Sequence, residues 1–422
     1  MQTAGLTYHR AQKTSSHHIF EKLFDGRIVR SNLLADSVSL AGIQIPRFAG
    51  EFWTSKQRQA SSLHEISYRA CFKPQLPRFF VDRLTQLGET VYDPFMGRGT
   101  TAIEAALLGR NVTGNDANPL SRILTKPRLR PPCMEEVARR IERIEMKKRI
   151  SSSLDLSMFY HPRTESEILS LRRYLARRAA SRTEDDIDRW IRMVATNRLT
   201  GHSKGFFSVY TLPPNQSASA ENQNKINRDR KQKPEYRDIK ELILRKTESL
   251  LRNFSDDQRG LLHDMGRRAR LITGDAWRTR SIPDDSIQLT VTSPPFLDTV
   301  NYAQDNWLRC WFNDIDWRRV ADRLTVVRSL ESWVDTMSRV FRELYRITAA
   351  DGIIAFEVGE IRKRNLRLDE VVVPIGIRAG FQCRGILVNE QKFTKTSNIW
   401  GIRNNHAGTN TNRIVLFQKP RG

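Results

Sequence analysis

The run Asp93-Pro-Phe-Met-Gly-Arg-Gly-Thr-Thr leaves this chain fewer possible folds than any other segment. It follows Thr90-Val-Tyr-Asp, a short strand pattern, and precedes an Ala/Leu-rich helical stretch that ends at Gly109, a good residue just past a helix end. Asn111-Val-Thr-Gly then reads as a second strand, and a helical stretch from Pro74 to Leu84 comes before the first. Two glycines let the backbone turn tightly and come close to a ligand. The helix N-terminus behind them offers that ligand free N–H groups. Asp116 lies 23 residues after Asp93, just past the second strand. That spacing suits a carboxylate accepting hydrogen bonds from ribose hydroxyls. A phosphate-cradling P-loop is excluded, because the Gly-Lys-Ser/Thr ending is missing.

Strand patterns return after residue 270: Leu271-Ile-Thr, Ile287-Gln-Leu-Thr-Val-Thr, Gly352-Ile-Ile-Ala-Phe-Glu-Val, Gly385-Ile-Leu-Val and Arg413-Ile-Val-Leu-Phe. A helix around Trp333 to Ile347 fits a crossover between two of them. The alternation predicts an α/β fold with one doubly wound, mostly parallel sheet covered on both faces. Residues 126–268 are instead helical, polar and basic. The expected organisation is a lead-in of unclear role over 1–62, a sheet domain from 63–125 and 269–422, and a basic helical insertion over 126–268. In the insertion, Thr164 and Glu167 have capping-box spacing ahead of Ile168, Leu169, Leu171 and Leu175. A second helix carries Ile187, Trp190, Ile191 and Val194, and a third lies near 236–253. The stretch from Pro213 to Lys233 reads as a mobile loop.

The 422 residues carry 70 Lys and Arg against 47 Asp and Glu, a formal charge of +23. Self-repulsion on that scale points to a polyanionic partner, nucleic acid or an anionic surface. No apolar run approaches the ~20 residues of a spanning helix, and the first twenty residues have no apolar signal-peptide centre. Cys71, Cys133, Cys310 and Cys383 are too scattered for a disulfide framework or a Cys-rich zinc site. A cytoplasmic protein with reduced thiols is expected. No metal is expected; His17 and His18 read as tail residues.

A second constellation, Thr292-Ser-Pro-Pro-Phe, ends the strand pattern Ile287–Thr292. Strand ends are where doubly wound sheets bind ligands. Two adjacent prolines stop the ladder and fix a rigid turn, with carbonyl oxygens and an aromatic face in set positions. Alone this would be an ordinary strand-ending turn. Its place after Gly274-Asp275 and a further strand favours a functional reading.

Together the two motifs resemble those of the S-adenosylmethionine-dependent DNA amino-methyltransferases, which act on cytosine N4 or adenine N6. The resemblance covers about 63–125 and 270–418 and implies a Rossmann-like methyltransferase sheet. A third stretch, Tyr68-Arg-Ala-Cys-Phe-Lys-Pro, resembles the segment closing over the methionine end of the cofactor. Carried over, Tyr68, Phe72, Asp93, Pro94, Phe95, Gly97, Gly99 and Thr100 would line S-adenosylmethionine. Asp116 would hold its ribose, and Asp275 with Ala276 its adenine. Ser293, Pro294, Pro295 and Phe296 would hold the target base and form the catalytic set.

These residue types fit the chemistry. An exocyclic amine has its lone pair delocalised into the ring, so it needs acceptors for its protons more than a covalent intermediate. Ser293 Oγ and a proline carbonyl can serve, and Phe296 can stack on a base that has left the duplex. Serine at the first motif position resembles the cytosine-N4 enzymes. Adenine-N6 methylation, the same chemistry on RNA, and a DNA-binding protein that has lost catalysis are the rivals in that order. The implied partners are double-stranded DNA and a cognate restriction endonuclease, with no membrane and the oligomeric state open.

Pro131-Pro-Cys133 resembles the nucleophile motif of cytosine-C5 methyltransferases, but it precedes a basic helix and no Glu-Asn-Val occurs. Glu357 at a strand end could face the cleft or be a solvated carboxylate; the sequence leaves both open. The insertion is the candidate for DNA recognition. Arg139, Arg140, Arg172, Arg173, Arg177 and Arg178 suit phosphate contact. Gly201-His-Ser-Lys-Gly-Phe-Phe-Ser-Val-Tyr, with Lys204, Phe206 and Phe207, suits a groove or an extruded strand.

Overall fold

The computed structural model describes residues 19–24, 33–53, 60–69, 71–150, 152–252, 254–295, 302–324, 329–361, 366–390 and 411–421. The apolar alternation seen in the sequence becomes the two faces of one sheet. Its strands are β1 (Leu34–Leu40), β2 (Ile43–Gly50), β3 (Thr90–Asp93), β4 (Asn111–Asp116), β5 (Arg270–Thr273), β6 (Ile287–Thr292), β7 (Thr348–Val358), β8 (Gln382–Glu390) and β9 (Thr411–Gln418). In β7, Ile353 and Ala355 enter one core while Ile354, Phe356 and Val358 enter the other, which a period of two requires of a sheet buried on both sides.

The nine strands lie in the order β1-β2-β8-β9-β7-β6-β3-β4-β5. Pairs β4–β5, β3–β4, β3–β6 and β6–β7 are parallel, and β9 runs antiparallel to both β7 and β8. Chain order runs outward from β3 to β5 on one side and from β6 to β7 on the other. The reversal between β3 and β6 is the topological switch point, where a doubly wound sheet opens a crevice.

Helix α1 (Gln75–Leu84) leads into β3, and α2 (Thr100–Leu107) crosses from β3 to β4. The turn before α2 needs glycine at position 99. Its φ is +77°, and a Cβ there would lie 2.3 Å from Thr125 Oγ1. Helix α3 (Leu120–Thr125) follows β4, and the insertion holds α4 (Met134–Arg143), α5 (Pro162–Ala180), α6 (Asp186–Arg198), α7 (Ala220–Asp229), α8 (Ile239–Leu251) and α9 (Asp256–Arg268). Trp190 of α6 is fully buried at its centre and donates to Thr247 Oγ1 of α8 at 3.1 Å. After β6 come α10 (Trp307–Phe312), α11 (Trp317–Leu324), α12 (Leu330–Ile347) and α13 (Leu368–Arg378). Helix α12 covers the second face with Trp333, Met337, Val340, Phe341, Leu344 and Ile347. No helix of the described residues is long and apolar enough to cross a membrane.

Three local expectations are corrected. Thr164 is not a cap: Pro162 opens α5, His161 caps it, and the Thr164 hydroxyl donates to the Arg237 carbonyl at 3.0 Å. The stretch expected as a loop contains α7, capped by Ser219. That helix buries only Gln223, so it shows no apolar period. The lead-in contributes the hairpin β1–β2, whose second strand pairs in parallel with β8 and extends the sheet.

Candidate active site

At the switch point, the loop after β3, the turns after β4 and β5, and the end of β6 enclose one cavity. Tyr68, Phe72, Pro94, Phe95, Gly97 and Thr100 line it, as do Asp116, Asp275 and Ala276, together with Ser293 and Pro295. The first motif, the second motif and the Tyr68 segment therefore share a single pocket.

Asp116 builds this pocket as well as lining it. Its Oδ2 accepts the Gly97 amide at 2.7 Å and its Oδ1 the Asn118 amide at 2.8 Å. Burial raises its pKa, against these hydrogen bonds. Each oxygen keeps a lone pair for a ligand hydroxyl. Nearby, Asn115 Nδ2 donates to the Pro94 and Gly274 carbonyls at 3.2 and 2.9 Å. Asn115 Oδ1 and Asn118 Nδ2 are buried with no partner among the described residues, and both residues line the cavity. Buried polar atoms left unpaired call for a polar ligand or ordered water. A nucleoside, with ribose hydroxyls and ring nitrogens, fits such a set.

Asp93 departs from expectation. It does not line the cavity; it is 1% exposed beneath it. Its Oδ1 accepts Thr292 Oγ1 at 2.6 Å and the Phe95 amide at 3.1 Å. It thus clasps the first-motif loop to the end of β6, one residue before Ser293. Burial pushes its pKa up to about 7, opposed by hydrogen bonds from Thr292, Phe95 and Thr101. Gly99 likewise stays behind the wall, where a Cβ would run into Thr125. Residues the sequence reading missed complete the lining: Met96, Asn115, Asn118, Trp277, Arg323 and Met337. Asn115 and Asn118 flank Asp116 directly, so the Asn-Asp-Ala-Asn string was the available signal.

In the second motif, Pro294 is buried under the turn and Ser293 and Pro295 face the cavity. The Pro295 carbonyl accepts the Trp333 indole N–H at 3.1 Å. Phe296 lies outside the described residues. Glu357 is not a solvated carboxylate. It is 7% exposed, accepts Asn412 Nδ2, and has Ser293 as its neighbour across the end of β6, which lowers its pKa. Cys133 does not line the cavity; it sits at the start of α4, and burial pushes its thiol pKa up, opposite to a nucleophile's need.

The insertion divides its basic residues. Arg173 and Arg177, one turn apart on α5, are exposed, as is Lys204. Arg172 and Arg178 are committed inward. Arg172 pairs with Asp314 and stacks over Trp311, its guanidinium carbon 5.0 Å from the ring centre. Arg178 Nε binds the fully buried Asp188 at 2.7 Å, which Arg140 also contacts. Phe206 and Phe207 are 5% and 1% exposed, so they cannot enter a groove as they stand. Phe206 instead carries the Arg198 guanidinium 4.0 Å above its ring. Aromatic residues in a Gly-rich stretch were read as a binding surface; packing claimed them first.

Residues 34–122 match the family model described as DNA methylase. Over that stretch the chain is similar to DNA methylases. The match begins at β1, so the hairpin falls within it. The chain is 33% identical over 97 residues to the type II methyltransferase M.MvaI of Kocuria varians, covering 22% of this chain and 20% of the relative. It is 33% identical over 76 residues to the type II methyltransferase M.MjaII of Methanocaldococcus jannaschii, covering 18% and 14%. The chain thus spans at most about a fifth of the length of these relatives. A solved S-adenosylmethionine-dependent methyltransferase of Methanosarcina mazei aligns with 81% of this chain and 98% of its own at 12% identity and a TM-score of 0.32.

Proposed function

We propose that the protein transfers a methyl group from S-adenosylmethionine to an exocyclic amine of a base in double-stranded DNA, with cytosine N4 the favoured target. The observation that carries this reading is the shared cavity: a nucleoside-type pocket and the Ser293-Pro-Pro turn open onto each other. The DNA methylase match and the type II methyltransferase relatives support the DNA substrate.

In this reading Asp116 holds the ribose, Asp275 and Ala276 the adenine, and Tyr68 and Phe72 close over the methionine end. When bound, S-adenosylmethionine supplies an electrophilic sulfonium methyl. The chain's own task is to present the amine in line and to draw off its hydrogens. Ser293 Oγ is one acceptor. Pro295, which lines the cavity with it, is the second candidate: its carbonyl accepts Trp333 and keeps one lone pair for the amine. Two acceptors favour the pyramidal nitrogen whose lone pair is released from the ring. The Asp93 clasp couples the loop at the methyl donor to the loop at the base. Without it, small slippage between them would misalign the reaction.

Nucleoside mass spectrometry of DNA from cells expressing the protein tests the reading. N4-methylcytosine is expected. N6-methyladenine alone would move the target to adenine, and 5-methylcytosine would sink the mechanism. A cognate restriction endonuclease belongs to the same proposal, resting only on the relatives' type II designation.

The exposed arginines give a separate prediction for DNA affinity. Arg173→Glu with Arg177→Glu should weaken binding to all DNA sequences alike and flatten the salt dependence. The change in log–log slope should be about 0.9 per lost phosphate contact. Titrations at several salt concentrations measure it, and an unchanged slope would place phosphate contact elsewhere. Arg178 is unsuitable for this test, because its loss leaves buried Asp188 short of a partner and destabilises the fold.

A further inference from the structure

Strand β7 is apolar from Gly352 to Val358 except at one position, Glu357. The parallel register pairs Thr292 with Phe356, so the next residues, Ser293 and Glu357, lie side by side at the strand ends. From the other side, β9 brings Asn412 to the same carboxyl. A carboxyl buried at the end of an apolar strand is costly unless its oxygens are well used. Asn412 donates to this one, and the Ser293 hydroxyl, beside it in the register, also lowers its pKa.

Resting on the methylation reading above, we propose that Glu357 is a positioning residue that fixes which way the Ser293 hydroxyl points. A serine hydroxyl has one proton and two lone pairs. When the Glu357 carboxylate takes the proton, the lone pairs are turned to the cavity and can accept an amine hydrogen. A protonated Glu357 no longer needs that proton, and the hydroxyl is free to point its hydrogen at the amine, which has no lone pair to receive it.

Burial raises the Glu357 pKa above the ordinary carboxylate value, while Asn412 and Ser293 lower it. The charged neighbours are committed elsewhere: Arg413 of β9 binds Asp369 of α13 at 2.9 Å, and Asp93 of β3 lies across β6 on Thr292. Turnover should therefore fall as pH is lowered and Glu357 takes up its proton, at a higher pH than an ordinary carboxylate would give.

The full chain is tested with DNA and S-adenosylmethionine as Glu357→Gln, Glu357→Asp and Ser293→Ala. Glu357→Gln should lower kcat about 10- to 100-fold, leave KM for DNA nearly unchanged and remove the acid limb of the pH profile. Glu357→Asp should recover part of the rate and keep a limb. The Ser293→Ala, Glu357→Gln pair should be no slower than Ser293→Ala alone. Wild-type rate and limb in Glu357→Gln, a limb that follows Asp93→Asn instead, or multiplying losses would overturn the proposal. A second readout needs no turnover. Titrating carbon-13-labelled glutamate carboxyls by NMR should show the Glu357 pKa rising in Ser293→Ala, since a donor to the carboxylate is lost. An unchanged titration removes the contact and the proposal with it. A wild-type protein that methylates nothing, yet shows the shifted titration, would overturn the methylation reading and leave the Ser293–Glu357 coupling supported.

Discussion

Ser293→Ala is expected to reduce methyl transfer by about 100-fold or more while S-adenosylmethionine binding stays near the wild-type value. The size follows from the role. A side chain that takes a proton or accepts a hydrogen bond from the reacting group contributes about 10²- to 10⁴-fold. Its absence is felt in the transition state, where the amine hydrogens become more acidic, so kcat should carry the loss. The cofactor half of the cavity is built from Asp116, Asn115 and the glycine turn, none of which leans on the Ser293 hydroxyl. Single-turnover kinetics with calorimetry on the same sample measures both. A variant that methylates at the wild-type rate would remove Ser293 from the chemistry.

The second large effect concerns Asp93. Asp93→Ala should cut both cofactor affinity and turnover, because it frees the first-motif loop from β6. The milder Asp93→Asn isolates charge from shape. The folded pKa, about 7, stands above the ordinary value of 3.8. The folded state therefore holds the proton more tightly than the unfolded chain does. That stabilisation is complete at pH values below 3.8, declines as pH rises toward 7, and is gone above it. Relative to wild type, Asp93→Asn should gain thermal stability across that range, on the order of 5 °C, and then hold a constant difference. Asp116 and Glu357 are raised by burial too and give the same sign, so the difference between the two proteins is the quantity to follow. Calorimetric scans between pH 5 and 8 would show it; a constant difference throughout would mean that Asp93 is already ionised at pH 5.

The sheet was legible wherever a strand showed a period of two or a short apolar run between turn residues, which holds for β3 to β9. The hairpin β1–β2 was missed although Ala41-Gly42, with φ of +51° and +75°, makes a tight two-residue turn between alternating strands. Asn-Gly would have announced it; Ala-Gly did not. At the site, the motifs gave many of the residues that line the cavity but not the layer behind them. Trp333 and Glu357 reach Pro295 and Ser293 only through strand register and helix packing, which lie far off in sequence. The insertion misled for a related reason. Arg172 and Arg173 look alike in a string, and one residue of helical rotation, roughly 100°, turns the first onto Asp314 and leaves the second in solvent.

The strands β4 and β5 are neighbours in space, with Thr113 opposite Arg270, although the whole insertion separates them in the chain. A flexible loop of that length would make their pairing slow, since contacts distant in sequence are reached late in folding. The insertion has already brought its own ends together. A Cβ on Gly266, near its exit, would lie 2.3 Å from the Leu129 carbonyl near its entry. Once the helices around Trp190 have assembled, β5 is delivered beside β4 as if the connection were short. The helical segment is then the kinetic gate of the sheet. A destabilised insertion would leave β4 as an unpaired parallel edge for longer after synthesis. Aggregation during refolding, rather than loss of catalysis, should be the first symptom of damage there.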